Sequence, residues 1–142
     1  MGTAERALRM IQLAGQFCEP RDIHYTGIDL FEGRSEADGP GLSLKAAHCR
    51  LTATGARIRL VPGTPVEAFS RVANSLGTVD ILLLSPRPDL QPLDNAWLFI
   101  PRLLHGQSQV FLETPSSGRG TSIRLLDLDE IGQRAGAIRR AA

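Results

Sequence analysis

The sequence predicts an α/β protein in which a mostly parallel sheet carries helices on both faces. Segments with the apolar period of an amphipathic helix alternate with short segments of strand composition, which is the order typical of parallel sheets. One strand segment, Val79–Leu84, is continuously apolar after Asp80, as expected for a strand covered on both faces. The 142 residues suit one folded domain, which we place at residues 1–142.

The predicted helices begin or end at residues suited to those positions. Pro20 ends the first helix, because the residue before a proline avoids the helical conformation. Gly55 and Gly77 follow the second and third helices, where glycine is the usual stop. Pro101 interrupts the fourth helix and should kink or restart it. The predicted helices span 3–17, 42–54, 64–76 and 94–104, and a last one runs from 127 or 129 to 140.

The predicted strands lie between these helices. Residues 57–61 alternate apolar and polar side chains, as a strand with one solvated face does. The stretch 32–41 is rich in glycine and charge and predicts a surface loop after the first strand. The predicted strands span 25–30, 57–61, 79–84, 109–112 and 122–126.

Composition and charge exclude several classes of partner. The 16 basic and 15 acidic residues leave a net charge of +1, which favours neither nucleic acid nor an anionic membrane as a partner. The apolar runs are too short to span a bilayer, and no signal segment opens the chain, so we expect a cytoplasmic protein. Cys18 and Cys49 form no metal-ligand spacing with each other or with a histidine, so no metal site is predicted.

Candidate functional residues lie where predicted strands end, because ligands of parallel α/β sheets bind beyond the carboxyl ends of strands. Asp29 ends the first strand, where a carboxylate either accepts the hydroxyls of a ribose or orders the following loop. Gly63 and Thr64 open the third helix, and two interpretations of them are open. Either the first N–H groups of the helix face an adenine or an anion, or Thr64 is only the cap of the helix. Ser85 begins a proline-rich connection that either lines a pocket or only turns the chain.

With these strand ends identified, the order of segments from residue 3 to about 113 resembles the class I S-adenosylmethionine-dependent methyltransferases. In that family an acidic residue ends the second strand and binds the cofactor ribose, which corresponds to Asp29. The next residue, here Leu30, packs against the adenine. A pair after the third strand reaches the adenine amine, and Gly63 and Thr64 stand at that position.

The sequence departs from the family pattern in two places. The family's first strand and glycine-rich turn should precede the first helix, and only Gly2 corresponds to a residue of that turn. Thr64 and Ser85 stand where the family has acidic or amide residues. The cofactor-binding residues implied by the resemblance are Gly2, Asp29, Leu30, Gly63, Thr64 and Ser85.

The resemblance implies a three-layer Rossmann-like fold, S-adenosylmethionine as the cofactor, and a methyltransferase-like function that is weak or absent, on an acceptor that the sequence does not identify. The alternative is a non-catalytic domain that acts through homo-oligomerisation or partner binding. In the family's fold the first strand lies between the second and the fourth, so its absence either lets those two strands pair directly or leaves strand edges and helix faces uncovered, and uncovered edges recruit partners. We therefore expect a homodimer.

Overall fold

The computed structural model describes residues 3–85, 93–115 and 120–141. The predicted α/β class is confirmed, with the strands in two small sheets. The chain divides into two compact units, Met1–Thr64 and Pro65–Ala142. No helix in the described ranges is both long and apolar enough to cross a membrane.

The first unit contains two helices and a parallel pair of strands. In chain order these are α1 (Glu5–Ala14), β1 (His24–Asp29), α2 (Leu44–Thr52) and β2 (Arg57–Pro62). The two strands are parallel and in register from His24 opposite Arg57 to Asp29 opposite Pro62, so they end together. The buried core of this unit comprises Ala4, Ala7, Ile11, Leu51 and Ala56.

Helix α1 is shorter than predicted. Ala4 adopts a left-handed conformation with φ of 63°, so the helix starts only at Glu5, and no side chain caps it. Its last helical residue is Ala14, which leaves Phe17 in the following turn with 88% of its surface exposed. The predicted extension to residue 17 was therefore wrong.

The second unit begins with α3 (Pro65–Leu76) and β3 (Val79–Leu84). The short helix α4 (Leu93–Ala96), the strands β4 (Leu104–Pro115) and β5 (Thr121–Leu126), and helix α5 (Leu128–Ala141) follow, as listed in chain order. Gly55 and Gly77 have φ of 82° and 71° shortly after α2 and α3, which confirms both predicted helix stops.

Pro101 divides the segment that the sequence predicted as one helix over 94–104. Helix α4 ends at Ala96, and a separate 3-10 turn, Ile100–Leu103, carries the proline in its first positions. Proline has no N–H to continue the helical hydrogen bonds, so the predicted restart is confirmed. The chain is already extended at Leu104, which makes β4 longer than the predicted 109–112.

The sheet of the second unit is mixed, which corrects the expectation of a mostly parallel sheet there. Strand β3 pairs with β4 in parallel, whereas β4 and β5 are antiparallel and begin their pairing with Pro115 opposite Thr121. A connection that short joins only antiparallel neighbours, because a parallel pair needs a crossover of about a dozen residues.

The two faces of this three-stranded sheet differ. One face contributes Val110, Leu112 and Leu126 to a buried core that also contains Trp97 and Ile131. The opposite face, called the outer face below, carries Ile81, Leu83, Phe111, Ile123 and Leu125, and the register also places Gln109 and Glu113 on it. Of these, Ile81, Ile123 and Leu125 are 55%, 57% and 54% exposed.

Candidate functional site

The parallel register of β1 and β2 brings four of the six candidate residues to one edge of the first unit. Asp29 lies opposite Pro62, and the Gly63 amide donates a hydrogen bond to the Asp29 carbonyl oxygen at 2.9 Å. Leu30 directly follows β1, and Thr64 lies two residues after the end of β2. Gly63 has φ of 127°, a conformation that L side chains rarely adopt, so glycine is needed to turn the chain here.

The Asp29 carboxylate is bound by the loop that follows it. Its Oδ1 accepts from the Leu30 amide at 2.7 Å, and Arg34 Nη2 donates to Oδ1 at 2.7 Å and to Oδ2 at 2.6 Å. The Asp29 and Arg34 side chains are only 9% and 14% exposed. Asp29 therefore orders the loop, which was one of the two interpretations of this residue from the sequence.

These contacts set the protonation state of the site. Burial alone would raise the pKa of Asp29, but the hydrogen bonds that the carboxylate accepts, among them those from Arg34 and Leu30, outweigh burial and lower it. Burial, followed by the nearby charge of Asp29, raises the pKa of Tyr25 to about 12. At neutral pH Asp29 is thus a carboxylate that accepts hydrogen bonds, and Tyr25 on the same strand is a neutral phenol.

Arg34 is held by the rest of the loop, which is named the Arg34 loop and spans residues 30–41. Arg34 Nη1 donates to the Asp38 carbonyl oxygen at 3.1 Å. The Asp38 carboxylate in turn accepts from the Ser35 amide in a capping box. Gly41 lies against the guanidinium, since a Cβ there would be 2.7 Å from Arg34 Nε. Arg34 was not among the residues predicted from the sequence, although a lone arginine five residues after an acidic strand end was a signal for such a pair.

Phe31 begins the Arg34 loop in an unfavourable backbone conformation. Its φ is 48°, and its side chain is buried with 4% exposure. A bulky residue with positive φ is a genuine outlier, costs on the order of 1–3 kcal/mol and is found most often at functional sites.

The remaining two candidates are not part of this group. Ser85 belongs to the second unit, where its Oγ donates to Glu113 Oε2 at 2.5 Å. Glu113 is 7% exposed and was not among the predicted site residues. Leu84 pairs with Leu112 in parallel strands, so Ser85 and Glu113, the next residues, lie side by side. The pair was therefore open to prediction from the ends of the strands. Gly2 lies outside the described residues.

A second polar contact in this unit involves His105. Its Nε2 lies 3.0 Å from Asp80 Oδ1, and its Nδ1 accepts from the Gln107 amide at 3.2 Å. In the neutral ring Nε2 is then the protonated nitrogen, and both nitrogens are engaged. The adjoining cavity of about 280 Å³ is mainly apolar in its lining, which includes Leu104, Leu128 and Ile131.

The described parts of the chain contain no group of three or more His, Cys, Asp and Glu side chains placed to hold a metal ion. No family model, curated protein or solved structure matches the chain.

Proposed function

We propose that this chain is a methyltransferase-like protein with a three-layer Rossmann-like fold, and that it binds the adenosine half of S-adenosylmethionine at the carboxyl ends of β1 and β2. The observation that supports the proposal is the convergence of Asp29 and Leu30 with Gly63 and Thr64 at one strand edge. In open α/β sheets this is where ligands bind.

Each residue of the group has a chemical role in this proposal. The lowered pKa of Asp29 keeps it ionised at neutral pH, and a carboxylate accepts hydrogen bonds from both hydroxyls of a ribose. Leu30 is partly exposed and offers an apolar surface to the purine ring. Gly63 has no side chain, so a ligand can approach the backbone beside Thr64.

The methionine half of the cofactor contributes less to binding in this proposal. The proposal assigns Asp29 to the ribose and the other residues of the group to the adenine, so none of them contacts the methionine half. We therefore expect adenosine and S-adenosylhomocysteine to bind nearly as well as S-adenosylmethionine, and all three weakly. For the same reason we expect methyl transfer to be weak or absent.

Calorimetric titration of the three ligands tests the site. Replacing Asp29 with alanine removes a charged acceptor, which is worth about 1.5–3 kcal/mol, or roughly a tenfold to hundredfold loss of affinity. Asp22→Ala is the matched control, because Asp22 is an exposed carboxylate before the opposite end of β1. Tight binding that Asp29→Ala leaves unchanged contradicts the site, and binding of none of the three ligands contradicts the function.

A second candidate function is association of two copies through the outer face of the second unit. This face is mainly apolar, although it also carries Gln109 and Glu113, and three of its apolar side chains are more than half exposed. The other face of the same sheet is packed against helices. Exposed apolar patches on soluble proteins mark interaction sites. This arrangement favours the non-catalytic alternative, in which the scaffold functions as a homodimer.

Light scattering over a range of protein concentrations tests the association. The wild type should show the mass of two chains, and Leu125→Glu should shift it to one, because the change puts a charge on the outer face. Leu128→Glu is the control, since Leu128 is 43% exposed on α5 and lies outside that face. A wild-type mass of one chain at every concentration excludes the homodimer.

A further inference from the structure

The carboxylate that the proposed function assigns to a ribose already has a partner within its own loop. The Leu30 amide and the two contacts from Arg34 Nη2 occupy three acceptor positions of Asp29. A carboxylate has about four such positions, and a ribose diol needs two of them. A diol therefore cannot bind Asp29 fully while Arg34 keeps both contacts.

The loop places Arg34 on Asp29 through several specific contacts. The Asp38 carbonyl holds the other terminal nitrogen of the guanidinium. Gly41 leaves room for the side chain, because a Cβ would lie 2.7 Å from Nε and 2.8 Å from Cδ of Arg34. Arg34 is thus positioned by the fold and is not a mobile surface cation.

The same loop combines backbone strain with a discrete attachment. Phe31 has positive φ at its first turn, and Glu32 Oε1 accepts from the Leu44 amide at the start of α2 at 2.8 Å. A strained segment persists only when surrounding contacts hold it, and segments of this kind commonly have two arrangements. Release of Arg34 from Asp29 removes one of the contacts that hold the strained arrangement.

We infer that Arg34 is an internal competitor for the Asp29 carboxylate, so that the Arg34 loop must release Asp29 before a ribose diol binds. The inference rests on the proposed function, because it concerns the same carboxylate. Its consequence is unusual: removing a polar side chain from the site should strengthen binding. A ligand that binds only the released arrangement has its affinity reduced by the fraction of molecules in that arrangement.

Adenosine titrations of two variants test the competition. Arg34→Met removes the guanidinium and keeps most of the side chain, whereas Gly41→Ala keeps every charge and displaces Arg34 by crowding. Each should bind adenosine about thirtyfold more tightly than the wild type, as expected if the released arrangement makes up about one molecule in thirty. Adenosine is the suitable probe because it is neutral, so the loss of one positive charge does not alter long-range attraction.

Two control variants separate competition from general effects. Arg57→Met makes the same charge change on an exposed residue at the other end of the strand pair, opposite His24. Gly33→Ala adds a Cβ in the same loop at ordinary contact distance, 4.0 Å from Leu30 Cβ. Both should bind adenosine as the wild type does.

The possible outcomes distinguish this inference from the function on which it rests. If the wild type binds adenosine and both variants bind it with equal or lower affinity, the inference is overturned and the proposed function stands. Absence of binding to the wild type and to both variants overturns the proposed function and the inference together. NMR titration of Asp29 gives a readout without ligand: its pKa should rise in both variants, and an unchanged pKa overturns the inference.

Discussion

The Asp29–Arg34 pair provides a direct test of how this fold is stabilised. Exposed ion pairs contribute at most about 1 kcal/mol, whereas breaking a buried pair costs about 3–5 kcal/mol. With side chains 9% and 14% exposed and contacts of 2.6–2.7 Å, the pair lies nearer the buried limit. We expect Asp29→Asn and Arg34→Met each to lower the free energy of unfolding by about 2–3 kcal/mol.

Combining the two substitutions should cost much less than their sum. Each single substitution leaves the other charged group buried without its partner, which is costly. The double substitution removes both charged groups, so this cost does not arise. We expect the double variant to lose about 3 kcal/mol in total, which gives a coupling energy of about 2 kcal/mol.

The pH dependence of the Asp29→Asn deficit has a defined sign. The folded state lowers the pKa of Asp29 below its ordinary value of 3.8. The stability contributed by the ionised carboxylate is therefore fully present above that value and is lost as the pH falls through the folded-state pKa. The difference between wild type and Asp29→Asn should be largest near neutral pH and should shrink below about pH 4.

Urea denaturation of the four proteins, at neutral pH and through the acid range, measures both quantities. Asp22→Asn is the control, because it removes an exposed carboxylate from the same unit. A coupling energy below about 0.5 kcal/mol, within the scatter of independent sites, refutes the reasoning. A loss of unfolding free energy in Asp29→Asn that stays constant as the pH falls also refutes the reasoning.

Three further changes should alter stability, each measurable by urea denaturation. Gly63→Ala should lose about 1–3 kcal/mol because φ is 127° there, and a loss below that range would mean that the turn relaxes. Ile131→Ala should lose about 2–5 kcal/mol because Ile131 is 1% exposed in the core, and Ile131→Val should lose only about 0.5–1.5 kcal/mol. Ser43→Ala should lose about 1 kcal/mol, since Ser43 Oγ accepts from the Ala46 amide at the start of α2, and Ser43→Asp should restore most of it.

Periodicity predicted the strands well where apolar pattern and turn residues agree. The first three strands end within one residue of their predicted bounds, and turn residues follow two of them, Gly63 after β2 and Pro86 shortly after β3. The predicted start of β4 was wrong, since residues 104–108 have little apolar pattern, yet the chain is extended from Leu104, directly after the 3-10 turn Ile100–Leu103. The antiparallel pairing of β5 depends on the length of a connection, which the alternation of helices and strands does not reveal.

The sequence was enough to predict that Asp29 and Gly63 lie together, but not which residues hold the candidate side chains in place. Strand-end reasoning selected Asp29 and Gly63, and the parallel register places them together. It missed Arg34 and Glu113, the partners that hold Asp29 and Ser85. A charged residue in a polar loop has the same sequence signature whether it contacts water or a buried carboxylate, so only the folded backbone distinguishes the two.

The mixed sheet of the second unit has a consequence for the order of folding. Pairing Pro115 with Thr121 closes a much shorter loop than pairing Ile81 with Gln109. The longer closure costs about 1.4 kcal/mol more in chain entropy. Strands β4 and β5 should therefore associate early and form a template, onto which β3 adds later with α3 and α4. Substitutions between β4 and β5 should slow folding, and those on β3 should mainly accelerate unfolding.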